Sequence, residues 1–192
     1  MVKFLALLIA FSSLTALAET KLGIMGSLLY NTSETDSFAG SNNVDEESEL
    51  SLGAGVRALM GIKDQLYFRS GASIVQKEWS YTVGNSSADL SMLYLSIPAT
   101  LYWKASNQVG FFGGLNIQSK LSDDCEGSGA LSGRNCKIPN QKGIVLPAVL
   151  GFDFAFTDVF SMEISYEYAM MDTAKDIKVS SGVVSFIYNL PN

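Results

Sequence analysis

The chain has 192 residues, 47% hydrophobic and 11% aromatic, with no histidine and a formal net charge of −6. The acidic balance argues against nucleic acid as a partner. The absence of histidine removes imidazole acid–base catalysis, the triads built on it and the commonest metal ligand.

Residues 1–18 carry Lys3, an apolar run from Phe4 to Phe11, and Ala16-Leu17-Ala18 as an A-x-A site. This reads as a secretory signal peptide cleaved after Ala18. Ser12, Ser13 and Thr15 interrupt a run already too short for a membrane helix. The rest, residues 19–192, is expected to form one domain. No later stretch approaches the ~18 consecutive apolar residues of a helical span, although hydropathy is positive on average. A chain that is apolar overall but never for long is what alternating lipid-facing strands produce.

Eight β segments are predicted in order. Residues 21–30 place Leu22, Ile24, Leu28 and Tyr30 on one face, and residues 51–62 set Leu52, Ala54, Val56, Ala58, Met60 and Ile62 against Ser51, Gly53, Gly55, Arg57 and Gly61. Residues 66–78 set Leu66, Phe68, Ala72 and Ile74 against Arg69, Gly71, Ser73 and Lys77. The clearest stretch is 92–119, where every odd position from Leu93 to Trp103 is apolar; after a break at 105–108, Val109, Phe111, Leu115 and Ile117 share one face. Residues 144–156, 160–170 and 179–190 complete the set, with Asp153, Glu163 and Glu167 on their polar faces. Soluble strands usually run about 5–6 residues, whereas a tilted strand crossing a bilayer needs about 9–11. These segments are of membrane length, although a long hairpin in a soluble barrel has the same alternation. Pro98 and Pro147 cannot donate to a ladder, so each is expected to mark a local bulge.

The connections alternate: 31–49, 80–91, 121–142 and 171–177 are longer than 63–65, 105–108 and 157–159. A membrane barrel with both termini in the periplasm has short periplasmic turns and long external loops in this order. Phe68, Trp103, Phe111, Phe156, Phe160 and Tyr188 lie on the apolar face near the short-turn ends and would form a girdle at the periplasmic interface. At the other end Tyr30 and Tyr168 are similarly placed.

Together with the signal peptide and eight amphipathic strands, the segment Tyr94-Leu95-Ser96-Ile97-Pro98-Ala99-Thr100-Leu101-Tyr102 is similar to a strand recurring in small outer-membrane β-barrel domain proteins of Gram-negative bacteria, often labelled porin-like. The resemblance covers the mature chain. It implies an all-β fold, an eight-stranded antiparallel up-and-down transmembrane β-barrel, with outer-membrane lipid around it and barrel-assembly machinery as a partner during biogenesis. The family usually ends on an aromatic residue; here Phe186 and Tyr188 alternate correctly but Leu190-Pro191-Asn192 follow.

Few residues invite chemistry. Glu163 and Glu167 lie two strand repeats apart, about 13 Å, too far for a glycosidase pair. They read instead as interior charges in a network with Arg57, Arg69, Lys104 and Asp153. Cys125 and Cys136 are the only cysteines, both in the longest loop, and an even count in an exported chain favours a disulfide over a two-thiol metal site. Asp45, Glu46, Glu47 and Glu49 could bind a divalent cation, but a solvated charge run is the simpler reading.

The expectation is a non-catalytic outer-membrane barrel without cofactor or metal, which anchors four external loops for a surface partner and whose lumen is plugged by charged side chains. The alternatives are a narrow channel, a periplasmic lipocalin-like binder with an apolar interior, and a lipid-modifying barrel enzyme. The direction of the apolar face separates membrane barrel from soluble binder.

Overall fold

Strict alternation gives each segment one apolar and one polar edge, and extended backbone sends successive side chains to opposite faces. The computed structural model describes residues 20–35, 44–83, 86–128, 141–174 and 177–191. The expected signal peptide and Cys136 lie outside these residues.

The strands are β1 (Thr20–Thr35), β2 (Val44–Lys63), β3 (Leu66–Val83), β4 (Ser86–Lys104), β5 (Val109–Gly127), β6 (Ile144–Val145), β7 (Ala148–Ala155), β8 (Phe160–Tyr168) and β9 (Ile177–Asn189). Each pairs antiparallel with its neighbour in the chain, apart from β6 and β7, which both pair with β5, and β9 pairs back onto β1 to close the ring. Gln118↔Val145 and Leu115↔Ala148 belong to one register, so β6 and β7 are two pieces of a single stave broken at Leu146 and Pro147. The result is an antiparallel ring of eight staves. Closure pairs the backbone groups and leaves no edge strand, the condition for crossing hydrocarbon with strands.

The prolines do not act as expected. Neither carries a register shift; the shifts lie instead between Ser48 and Gly53, between Gly61 and Lys63, and between Leu93 and Tyr94. Opposite Pro98 the β3–β4 ladder lapses between Arg69↔Thr100 and Ser73↔Ser96 and resumes in register. A missing donor removes a bond from the ladder, and the long paired stretches on either side hold the register across the gap. Gly71, in that gap, has φ +151° and lies so close to β2 that a Cβ there would meet the Val56 carbonyl oxygen at 2.1 Å. Only glycine fits.

One end of the ring carries tight connections at 64–65, 105–108 and 156–159; the other carries 36–43, 84–85, 128–143 and 169–176. Over most of the long connection expected at 80–91 the chain is instead strand, because β3 and β4 keep pairing from Lys77↔Met92 to Val83↔Ser86. The first loop shrinks for the same reason. Backbone pairing continues beyond the point where side chains stop alternating, so polarity marks the depth of a strand and not its end.

The apolar face points outward. Leu22, Ile24, Leu52, Val56, Ile74, Leu101, Leu115, Phe152 and Phe186 are exposed around the ring, and Leu150 is 74% exposed. Met92, Tyr94 and Ser96, which alternate with Leu93 and Leu95, are buried inside. A soluble binder with an apolar interior requires the opposite arrangement.

Candidate functional site

The inward faces fill the lumen in layers. At the loop end Leu29, Val75, Trp79, Leu90, Met92 and Tyr94 pack with Val145, Ala174, Ile177 and Val179 into an apolar cluster; Trp79, Met92 and Tyr94 are 0% exposed. Nearer the turn end Leu59, Tyr67, Tyr102, Phe112 and Val149 form a smaller one. A belt of charge is interleaved with this second cluster, Asp153 accepting from the Tyr102 hydroxyl at 3.1 Å.

Glu163 on β8 anchors the belt and is 2% exposed. Arg57 Nη1 donates to its Oε1 at 2.8 Å and Arg69 Nε to the same oxygen at 3.0 Å, while Arg69 Nη2 donates to Oε2. Arg57 Nη1 also reaches Asp153 Oδ2 at 3.2 Å, and its Nη2 donates to Asn189 Oδ1 at 2.6 Å. The Arg69 guanidinium sits over the Phe112 ring, 4.3 Å from its centroid. Towards the loop end Glu167 accepts from Lys77 Nζ at 2.9 Å, Asn116 Nδ2 at 2.7 Å and Gln118 Nε2 at 2.9 Å. Three cations and three carboxylates thus balance inside the ring. Buried ions are tolerable in this form because each has an opposite charge and hydrogen bonds to the same group.

Arg57, Arg69, Asp153 and Glu163 are brought together directly, while Glu167 forms its own group one layer up. Lys104 is not part of either. It ends β4, lines the turn-end cavity and forms no ion pair with a described residue. Lys77, expected only on the polar face of its strand, pairs with Glu167 in the place expected for Lys104. The signal was present, since Lys77 shares the odd parity of Arg69 and Ser73, as do Val75 and Trp79, and Asn116 and Gln118 share that of Phe112. Polar character alone hid the apolar cluster, whose members sit on the face otherwise marked by serine, threonine and charge.

Trp103, Phe111, Phe156, Phe160 and Tyr188 project outward near the turn end, and Phe68 is half-buried beside them. Trp103 stacks on its cross-strand partner Phe111 at 6.0 Å, and Phe160 meets Tyr188 edge to face at 5.3 Å. Tyr30, Tyr166 and Tyr168 are exposed on the outer wall toward the loop end. Cys125 lies on the loop-end extension of β5, opposite Leu90.

The fold is shared with solved proteins of low sequence identity. Ail of Yersinia pestis, in complex with the heparin analogue sucrose octasulfate, is 13% identical, with a TM-score of 0.52 over 90% of this chain and 99% of that one. OprG of Pseudomonas aeruginosa is 15% identical, with a TM-score of 0.53 over 91% and 97%. Neisserial surface protein A is 14% identical, with a TM-score of 0.51 over 90% and 98%. No curated protein matches the chain in sequence. A sequence model of the outer membrane protein beta-barrel domain matches residues 4–189, and with its closed ring and outward apolar wall the chain belongs to that family.

Proposed function

We propose that this protein is a non-catalytic outer-membrane anchor: the turn end faces the periplasm, the loop end carries four connections for a surface partner, and the lumen is plugged. The observation that carries this reading is the layered interior, in which Arg57, Glu163, Lys77, Trp79 and Met92 are each at most 4% exposed. Eight strands enclose a space that side chains can fill. Under the same reading residues 1–18 direct export and are removed, the barrel-assembly machinery inserts the strands, and the outward aromatics sit at the periplasmic interface of the lipid.

Planar-bilayer recording tests the plug. No stable conductance is expected, and an open conductance comparable to a general porin would overturn it. The cavity at the turn end, which penetrates as far as Arg57 and Asp153, favours the second reading of a narrow channel. A pairing of Cys125 with Cys136 would close the longest loop, adding about 3 kcal/mol by the loop-entropy estimate. Mass spectrometry of unreduced protein is expected to show two hydrogens fewer than the dithiol.

A further inference from the structure

The outer wall is not evenly covered. Gly26 and Ala54 are cross-strand neighbours on the outward face, and a Cβ at Gly26 would meet nothing within 4 Å. Phe186 stands beside Gly26 and Ile74 beside Ala54, so the missing side chains leave a notch between two large ones. With Leu28, Leu52 and Leu93 they line a groove of about 560 Å3.

Towards the loop end the groove meets a second hollow of about 500 Å3, and Gln76 lines both. This one is acidic, with Glu49, Glu78, Asp89, Asp124 and Glu126 in its lining. The register sets the carboxylates in rows across β3, β4 and β5: Glu78 and Asp124 flank Ser91, and Asp89 faces Glu126 directly. Like charges placed opposite each other destabilise a sheet. None of the five forms an ion pair among the described residues, and Lys120, on β5 with two of them, is taken by Asp123. From Ile74 to Glu78 is four residues of strand, about 13 Å at ~3.3 Å per residue, so a chain lying over Ile74 brings its head to the carboxylates.

We propose that the groove and the acidic hollow together hold one lipid with an ammonium head, its acyl chain over Gly26 and Ala54 and its head against Glu78 and Asp124. This rests on the reading that the outward wall lies in lipid. The charges select the occupant. A head with only negative charge is repelled by the five carboxylates, and a second copy of this chain would bring the same carboxylates face to face. A primary ammonium offers hydrogen-bond donors as well as charge, which a quaternary one lacks.

The test uses the full mature chain with Trp103→Phe, refolded into phosphatidylcholine vesicles, where Trp79 inside the lumen gives a constant background. Leu93→Trp reports on the groove, and Leu150→Trp, on β7 and outside both hollows, reports on the general wall. Lipids with brominated acyl chains and ethanolamine, choline or glycerol heads serve as quenchers. At Leu93→Trp the phosphatidylethanolamine is expected to compete about threefold better than the phosphatidylglycerol, the scale of an exposed ion pair, with phosphatidylcholine between them. Glu78→Gln with Asp124→Asn should level the three, as should molar salt. Equal or reversed quenching at Leu93→Trp, the same preference at Leu150→Trp, or a preference untouched by the double substitution would each overturn the proposal. Quenching at Leu150→Trp with none at Leu93→Trp would show that protein covers the groove and overturn it too. No quenching at either position would remove the membrane reading along with the site.

Discussion

Two regions fill the same lumen by opposite means. The belt around Glu163 uses paired ions, whereas the loop-end cluster around Trp79 and Leu29 uses apolar packing of the kind found in soluble cores. The difference teaches where each device can be trimmed. An apolar cluster loses energy in proportion to the atoms removed, because every contact is small and local. A belt of ions fails abruptly, because removing one partner strands the others without compensation.

Glu163→Leu is expected to be the most damaging change, since it leaves Arg57 and Arg69 facing each other with only Asp153 between them; a loss of about 3–5 kcal/mol should appear in urea unfolding from lipid vesicles. A smaller loss than that of a single leucine would mean the belt is not a coupled unit. Leu29→Ala, in the apolar cluster and 1% exposed, should cost about 2–3 kcal/mol by the same measurement. The contrast sharpens with a double-mutant cycle on Lys77 and Glu167. Replacing both, Lys77→Met with Glu167→Leu, should recover about 1–2 kcal/mol relative to the sum of the single changes. An additive result would place the belt on the same footing as the apolar cluster.

The smallest expected effect lies outside both regions. On the extension of β5, Asp123 accepts from Lys120 Nζ at 2.6 Å and from Gln141 Nε2 at 2.8 Å, tying the strand end to the chain entering β6. The hydrogen bond from Lys120, then that from Gln141, holds its carboxyl below the usual carboxylate range. A lowered folded-state pKa means the tie is present above the ordinary carboxylate range and is lost as pH falls through the lowered value. Hydrogen exchange around residues 120–124 should therefore show less protection on acidification, while Asp123→Asn should abolish this pH dependence and leave the charge belt untouched. Unchanged protection in the parent at low pH would show that the tie does not order this end.

Much of this was legible in the alternation. Leu52 through Ile62 and Leu93 through Trp103 announced membrane-length strands, and their outward faces are the ones the parity assigned. Arg57, Arg69, Asp153 and Glu163 were legible as a group because charges on one parity of a closed ring must share its interior. Lys77 and Lys104 were not separable in this way. Parity tells which side of the wall a residue occupies but not its depth, and depth decides whether a lysine meets a buried glutamate or lines the turn-end cavity.

The sequence alone determined what a period of two can determine: strand identity, the two faces and which charges share a face, since each follows from neighbours along one strand. Only the tertiary structure decided what depends on residues far apart in the chain. Closure of β9 onto β1, the in-register passage of the ladder past Pro98 and Pro147, and the stacking of apolar, charged and open layers are of this kind. The physical reason is stagger. A side chain's height in the barrel depends on the register of every pair that precedes it around the ring, and register is a property of pairs of strands.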